Sequence, residues 1–167
     1  LVWIHAASLG ESLSILPVVE RLAAGEPPIA VLLTTGTRSS AELMAERLPA
    51  GALHAYAPLD TRPALRRFVD HWRPEATVLV EQELWPMLLW TSPPPRLLVN
   101  ARLSARSARR WGRVPGLARP VLGRFSRVLA QSGADAARLR ALGASPVETP
   151  GNLKDATPPL PVDAAQL

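Results

Sequence analysis

The sequence predicts an α/β fold, doubly wound around an open and mostly parallel sheet, and three observations carry that expectation. Short β-type runs alternate with longer helical patterns along the chain. Several of the short runs are almost wholly apolar, as strands covered on both faces must be. The length of 167 residues is one domain's worth of chain, enough to bury a core.

Strands are expected in order at Leu1–Ala6, Ile29–Thr34, Ala52–Ala57, Ala76–Glu81, Arg96–Asn100 and Arg127–Gln131, with a weaker one at Pro146–Thr149. The clearest are Leu-Val-Trp-Ile at the start and Thr77-Val78-Leu79-Val80 in the middle, apolar at every position or nearly so. Helices are expected at Leu13–Ala24, Ser40–Leu48, Thr61–Trp72, a short Leu84–Trp90, Pro115–Phe125 and Ala134–Leu142. Thr61 is placed to cap its helix with Pro63 in the first turn, and Gly143 to stop the last one. The stretch from Ala101 to Val114 is assigned to no helix. There is no internal repeat and no domain boundary before about Gly151, so residues 1–150 are expected to form one lobe.

Composition narrows the function. Without cysteine there is no disulfide scaffold, thiolate metal site or cysteine nucleophile. No apolar run approaches the roughly 18 to 20 residues that span a bilayer. The 19 basic and 14 acidic residues leave a net charge of +5, and every basic residue but Lys154 is arginine. The start at Leu1 and the Pro- and Ala-rich stretch from Ala156 to Leu167 suggest a domain of a longer protein.

In a doubly wound sheet, ligands are expected beyond the carboxyl ends of the strands, which singles out four loops. The first, His5 to Ser12, has small residues and Gly10 where a ligand can approach the backbone, and amides at a helix start that attract anions. It has neither a Walker loop nor GxGxxG spacing. Glu11 would repel a phosphate there; it either complements the helix dipole or serves as a proton acceptor. The second, Thr34 to Ser40, surrounds Gly36 with hydroxyls and Arg38, suiting a phosphate or sugar, or simply capping a helix. In the third, Glu81 and Glu83 end a buried strand, where carboxylates are costly unless used or paired. The fourth, Asn100 to Ser104, leads into the segment Arg96–Arg140, with 11 arginines against Asp135 alone. Such a block fits an anionic partner or a solvated face. Trp111 among Arg106, Arg109, Arg110 and Arg113 suits a membrane interface or a base stack, but no RNA-binding signature accompanies it. His5, His54 and His71 lack metal-ligand spacing, and His5 reads as a core or loop-orienting histidine. Ser8 has no Ser-His-Asp context.

Five segments together resemble one family: His5-Ala6-Ala7-Ser8-Leu9-Gly10-Glu11, Thr34-Thr35-Gly36-Thr37, Val80-Glu81-Gln82-Glu83-Leu84-Trp85-Pro86, Val99-Asn100-Ala101-Arg102-Leu103-Ser104 and Gly151-Asn152-Leu153-Lys154. They are similar, in order, to motifs in the amino-terminal half of 3-deoxy-D-manno-octulosonic acid (Kdo) transferases. The resemblance implies a Rossmann-like acceptor-binding lobe of a GT-B glycosyltransferase, with 151–167 as the hinge toward a donor-binding lobe. It implies metal-independent, inverting transfer of Kdo from CMP-Kdo to the 6′-hydroxyl of a lipid A precursor at the cytoplasmic face of the inner membrane, with no cofactor and no nucleic acid partner. By the same resemblance Glu11 is the base and Glu81 a second cleft carboxylate. Acceptor contacts are expected from Ser8, Gly10, Thr35, Gly36, Thr37, Arg38, Glu83, Asn100 and Arg102, and hinge or donor-side contacts from Asn152 and Lys154. The chain departs from the family pattern at Gln82, where Thr is usual, at Met87, where Asn follows Trp-Pro, and at Asp155, where Phe follows Lys. The alternatives are a GT-B enzyme with another acceptor, or a non-catalytic module binding anionic lipid or nucleic acid through Arg96–Arg140.

Overall fold

The computed structural model describes residues 1–156. Seven strands, β1 (Val2–His5), β2 (Val31–Thr35), β3 (Ala52–Tyr56), β4 (Ala76–Val80), β5 (Arg96–Ala101), β6 (Arg127–Ala130) and β7 (Val147–Glu148), form one sheet in the order β3-β2-β1-β4-β5-β6-β7. Every neighbouring pair is parallel, so the expected mostly parallel sheet is parallel throughout. All seven expected strands are present.

Side-chain alternation along the central strands winds the sheet on both faces. Trp3, Leu32, Leu79 and Leu98 point into a core with Leu65 of α3 (Arg62–Trp72), Leu88 and Leu89 of α4 (Pro86–Thr91), Val121 of α6 (Pro115–Leu122) and Leu139 of α7 (Gly133–Ala141). Their strand neighbours Ile4, Leu33 and Val80 pack against Ile15 and Val19 of α1 (Leu9–Ala23) and Met44 of α2 (Arg38–Arg47). Each buried aliphatic side chain contributes about 1.5–3 kcal/mol. One residue of register slip would exchange the two cores.

Most helices fall within three residues of the expected bounds, and two differ more. α1 starts at Leu9, four residues early, because Ser8 caps it and Glu11 reaches back over its first turn. The segment after Asn100 contains α5 (Ala105–Gly112), which the sequence reading left without a helix. Its apolar contribution to the core is only Ala108 and Trp111, while Arg106, Arg109, Arg110 and Arg113 fall at helical spacing on the other side. Hence the apolar signal is too thin to read. Thr61 does cap α3 by position, without a side-chain bond, and Gly143 follows the α7 cap at φ +103, the left-handed conformation that favours glycine.

Two carboxylates hold loops together at long range. Asp60, before α3, accepts from the backbone amides of Met87 (3.4 Å) and Leu88 (2.7 Å), capping α4 in place of Trp85, which offers no acceptor. Asp135, buried at the start of α7, accepts from the Leu103 amide at 2.9 Å, while Arg138 reaches the Leu103 carbonyl at 3.1 Å. Asp135→Ala is therefore expected to destabilise the protein by roughly 2–4 kcal/mol, because it orphans the buried Leu103 amide and leaves Ser132 and Arg138 without their carboxylate partner. A denaturant midpoint unchanged in that variant would contradict this role.

Candidate active site at the sheet crossover

The strand order reverses between β1 and β4, so the crevice beyond their carboxyl ends is the topological switch point. β1 delivers His5 and the loop to Glu11; β4 delivers Glu81, Gln82 and Glu83. Two of the loops singled out from the sequence therefore meet across the crossover.

Glu11 sits in the first turn of α1 as the third residue after its cap. Its Oε2 accepts from the Ala7 amide at 2.8 Å and its Oε1 from the Ser8 hydroxyl at 3.0 Å, while its own amide donates to Ser8 Oγ at 3.3 Å. This is a capping box, extended one residue back to Ala7. Burial pushes the Glu11 carboxyl above its ordinary range; the Ala7 and Ser8 bonds oppose the rise, and the charges of Glu83 and Glu81 add to it. The structural and the chemical reading of Glu11 thus coexist: the side chain caps a helix and is also made more basic.

The other two carboxylates face positive or proton-donating partners. Glu81 Oε1 accepts from Lys154 Nζ at 3.1 Å. Glu83 Oε2 lies 3.4 Å from His5 Nε2 and accepts from Trp85 Nε1. Among the described residues, Glu11 is the one of the three that faces neither a lysine, an arginine nor a histidine within ion-pair distance. No group of three or more His, Cys, Asp or Glu among the described residues is arranged to hold a metal ion.

Strain marks the same place. Glu81 (φ +60) and Asn100 (φ +52) are both left-handed at the ends of adjacent strands, a conformation costly for Glu and better tolerated by Asn. Glu81 donates its amide to Val99 and receives the Arg102 amide on its carbonyl, so the two strand ends are tied together. Asn100 is buried; its Oδ1 accepts from the Leu153 amide at 3.1 Å, while its Nδ2 has no partner among the described residues.

The remaining sequence-derived residues divide. Gly36 closes on the first loop, its amide donating to Ala7 O at 3.2 Å; an added Cβ would lie 3.2 Å from that same oxygen. Gly10 is exposed and has nothing within 4 Å of where a Cβ would be. Thr35 is buried and bonded to His54 Nε2 at 2.9 Å, and burial lowers the proton affinity of His54. Thr37 caps α2 through the Ser40 amide. Arg38 is 87% exposed and pairs with Glu42 on its own helix, not with the crevice. Arg102 is exposed beside Glu81. Asn152 caps the 3-10 turn Leu153–Ala156, accepting from the Lys154 amide, and this turn packs Leu153 onto the α1 side of the sheet. Of the segment expected to act as a hinge, 157–167 lies outside the described residues.

A shallow apolar track leaves the crevice. It starts in a depression of about 320 Å³ lined by Gln82, Trp85, Leu103 and Trp111 and shares Pro86 with a larger one of about 700 Å³ beside Arg62, Arg66, Met87, Trp90 and Leu117. Trp85, Trp90 and Leu117 are exposed along it. On α5, Arg106, Arg109, Arg110 and Arg113 line a further open depression of about 440 Å³. Other arginines of the basic segment are committed: Arg96 to Ser92, Arg127 to Glu148, Arg138 to Asp135 and Leu103, Arg140 to Val147 O, and Arg124 over Trp90. Arg102 and Arg119 are also exposed, elsewhere on the surface, so the uncommitted charge of the basic block concentrates on the α5 stripe.

A family model described as 3-deoxy-D-manno-octulosonic-acid transferase (kdotransferase) matches residues 1–157. Curated proteins of that name are similar: 36% identity with the Rickettsia felis protein over 100% of this chain and 36% of that protein, and 38% with the Bordetella pertussis protein over 92% and 37%. A probable mitochondrial 3-deoxy-D-manno-octulosonic acid transferase of Arabidopsis thaliana is 37% identical over 92% of this chain and 36% of its own length. The chain thus spans little more than a third of these relatives. Among solved structures, the S. aureus MnaA–UDP complex superposes with TM-score 0.65 at 14% identity, covering 99% of this chain and 50% of that one. The Neisseria meningitidis UDP-GlcNAc 2-epimerase bound to UDP-GlcNAc gives 0.63 at 12%, covering 91% and 46%. At such identity these two bear on the fold alone.

Proposed function

The chain belongs to the 3-deoxy-D-manno-octulosonic-acid (Kdo) transferase family, and from that premise we propose that it is the acceptor-side lobe of a GT-B enzyme moving Kdo from CMP-Kdo to the 6′-hydroxyl of a lipid A precursor. The carrying observation is the crossover crevice, where Glu11 is left without a cation beside two partnered carboxylates. In an inverting transfer the acceptor hydroxyl loses its proton to Glu11 as its oxygen bonds to the anomeric carbon. The bond from that carbon to the CMP phosphate breaks, and the phosphate leaves with the electron pair. A carboxyl raised by burial is a better proton acceptor than an exposed one, and the rest of the α1 cap keeps it aimed.

The apolar track and the arginine stripe suit an acceptor that is both acylated and phosphorylated, presented at an anionic membrane surface such as the cytoplasmic face of the inner membrane. Glu83, beside His5, and Arg102, exposed next to Glu81, are the acceptor contacts this reading favours. The reading includes no metal and no cofactor besides the donor. Assaying the full-length protein with lipid A precursor against CMP-Kdo and a panel of other sugar nucleotides tests it. Transfer from CMP-Kdo alone is expected. Transfer from a different donor, or polyanion binding without transfer and indifferent to Glu11 and Glu81, would overturn it.

A further inference from the structure

His5 is the last residue of β1 and is almost fully buried, yet both of its ring nitrogens meet polar atoms. Nδ1 lies 3.1 Å from Thr34 Oγ1 on the paired strand, and Nε2 lies 3.4 Å from Glu83 Oε2 across the crevice. The Glu83 carboxylate, which can only accept, decides which nitrogen carries the proton. The indole of Trp3 can only donate, and it donates to Thr34 Oγ1 at 2.9 Å. Thr34 keeps one hydroxyl proton and a second lone pair, so it can meet Nδ1 in either tautomer; Nδ1 at 3.1 Å is nearer to it than the Ile4 carbonyl at 3.4 Å. When Nδ1 accepts from the Thr34 hydroxyl, the neutral ring carries its own proton on Nε2, facing the carboxylate. The opposite tautomer would set a lone pair against Glu83.

Glu83 is held from a second side by the Trp85 indole, whose ring meets the His5 ring edge-on at 6.2 Å. The charged and titratable groups around it are His5 from β1, Glu11 from α1, Glu81 from its own loop, and Lys154 from the 3-10 turn, paired with Glu81. We propose that His5 is a positioning residue: held by Thr34 with its proton on Nε2, it keeps the Glu83 carboxylate aimed beside Glu11, and takes no proton from the acceptor. This rests on the reading of Glu11 as the base and deepens it. The contact at 3.4 Å is long for a formed hydrogen bond, and tightening when the acceptor enters is the behaviour expected of such groups. A carboxylate held close makes Glu11 a stronger proton acceptor, and letting it swing away weakens Glu11.

Two measurements on the full-length enzyme test this. Nitrogen-15 shifts of the His5 ring are expected to show the proton on Nε2, and to lose that preference in Glu83→Ala, which takes away the acceptor facing Nε2. In kinetics, His5→Leu is expected to lower kcat about tenfold and to move the acid limb of its pH profile to lower pH, with His5→Gln, which keeps an N–H in place, recovering most of both. A proton on Nδ1 in the unmodified protein would overturn the proposal, as would a pH profile unmoved in His5→Leu or an equal loss in His5→Gln. Should His5→Leu fail to fold, Glu83→Ala and the ring shifts still decide. The shifts report the tautomer whichever residue is the base, so failure of the Glu11 assignment and failure of this one are told apart.

Discussion

Glu11→Gln in the full-length protein is expected to lower kcat by about 10²- to 10⁴-fold, the range that general-base catalysis supplies, with acceptor affinity and thermal stability little changed. The geometry separates the two roles of this side chain. Glutamine keeps a carbonyl oxygen for the Ala7 amide, 2.8 Å from the present carboxylate, so α1 stays capped while the proton acceptor is lost. Glu11→Ala removes both functions and is expected to cost about 1 kcal/mol of stability as well. The pH dependence follows from the direction of the shift. Because burial and then the neighbouring Glu83 and Glu81 charges hold Glu11 above its ordinary range, the acid limb of the kcat profile should fall above that range. Glu83→Gln, which removes one of those charges, should move the limb to lower pH. Near-normal turnover in Glu11→Gln, with a pH profile matching the unmodified enzyme, would exclude it as the base.

Replacing Arg106, Arg109, Arg110 and Arg113 together by Gln is expected to weaken binding to vesicles containing anionic phospholipid by about a thousandfold. The figure follows from roughly 1 kcal/mol per basic residue near an anionic surface. Raising the salt from low to physiological should reproduce part of the loss, since exposed charges are screened over about 10 Å at 0.1 M. Stability should change little, because the four lie on the outer side of α5 and make no ion pair among the described residues. The matched control is Arg127→Gln together with Arg140→Gln: these arginines are committed to Glu148 and to the Val147 carbonyl, so they should perturb β7 more than vesicle binding. Equal loss of binding in stripe and control variants would show that total charge, not this face, sets the affinity.

How much of the site was legible depended on how local each interaction is. The Glu11 loop could be found because its cap, its small residues and its strand all lie within a dozen positions. The hydroxyls of the second loop were legible only as alternatives. The structure spends Thr37 on capping α2, just as Ser104 and Ser132 cap α5 and α7. Arg38 looked like a phosphate ligand because an arginine beside Gly36 suits one, yet its helix turns it toward Glu42 and solvent. The partners of His5, Glu81 and Asp135 lie 29, 73 and 32 residues away, a distance over which periodicity and capping rules carry no information.

The sequence by itself determined the α/β class, the number of strands, the membership of the family and the strand-end loops that could hold chemistry, because apolar periodicity and local turn residues encode them directly. The tertiary structure decided which loops meet. Placing β4 beside β1 brings Glu81 and Glu83 to Glu11, and placing β2 on the other side of β1 brings Thr34 to His5. Only after that pairing do burial and neighbouring charge act on the same carboxyl, and these forces, which depend on three-dimensional proximity, make Glu11 more basic than its place in the chain alone would.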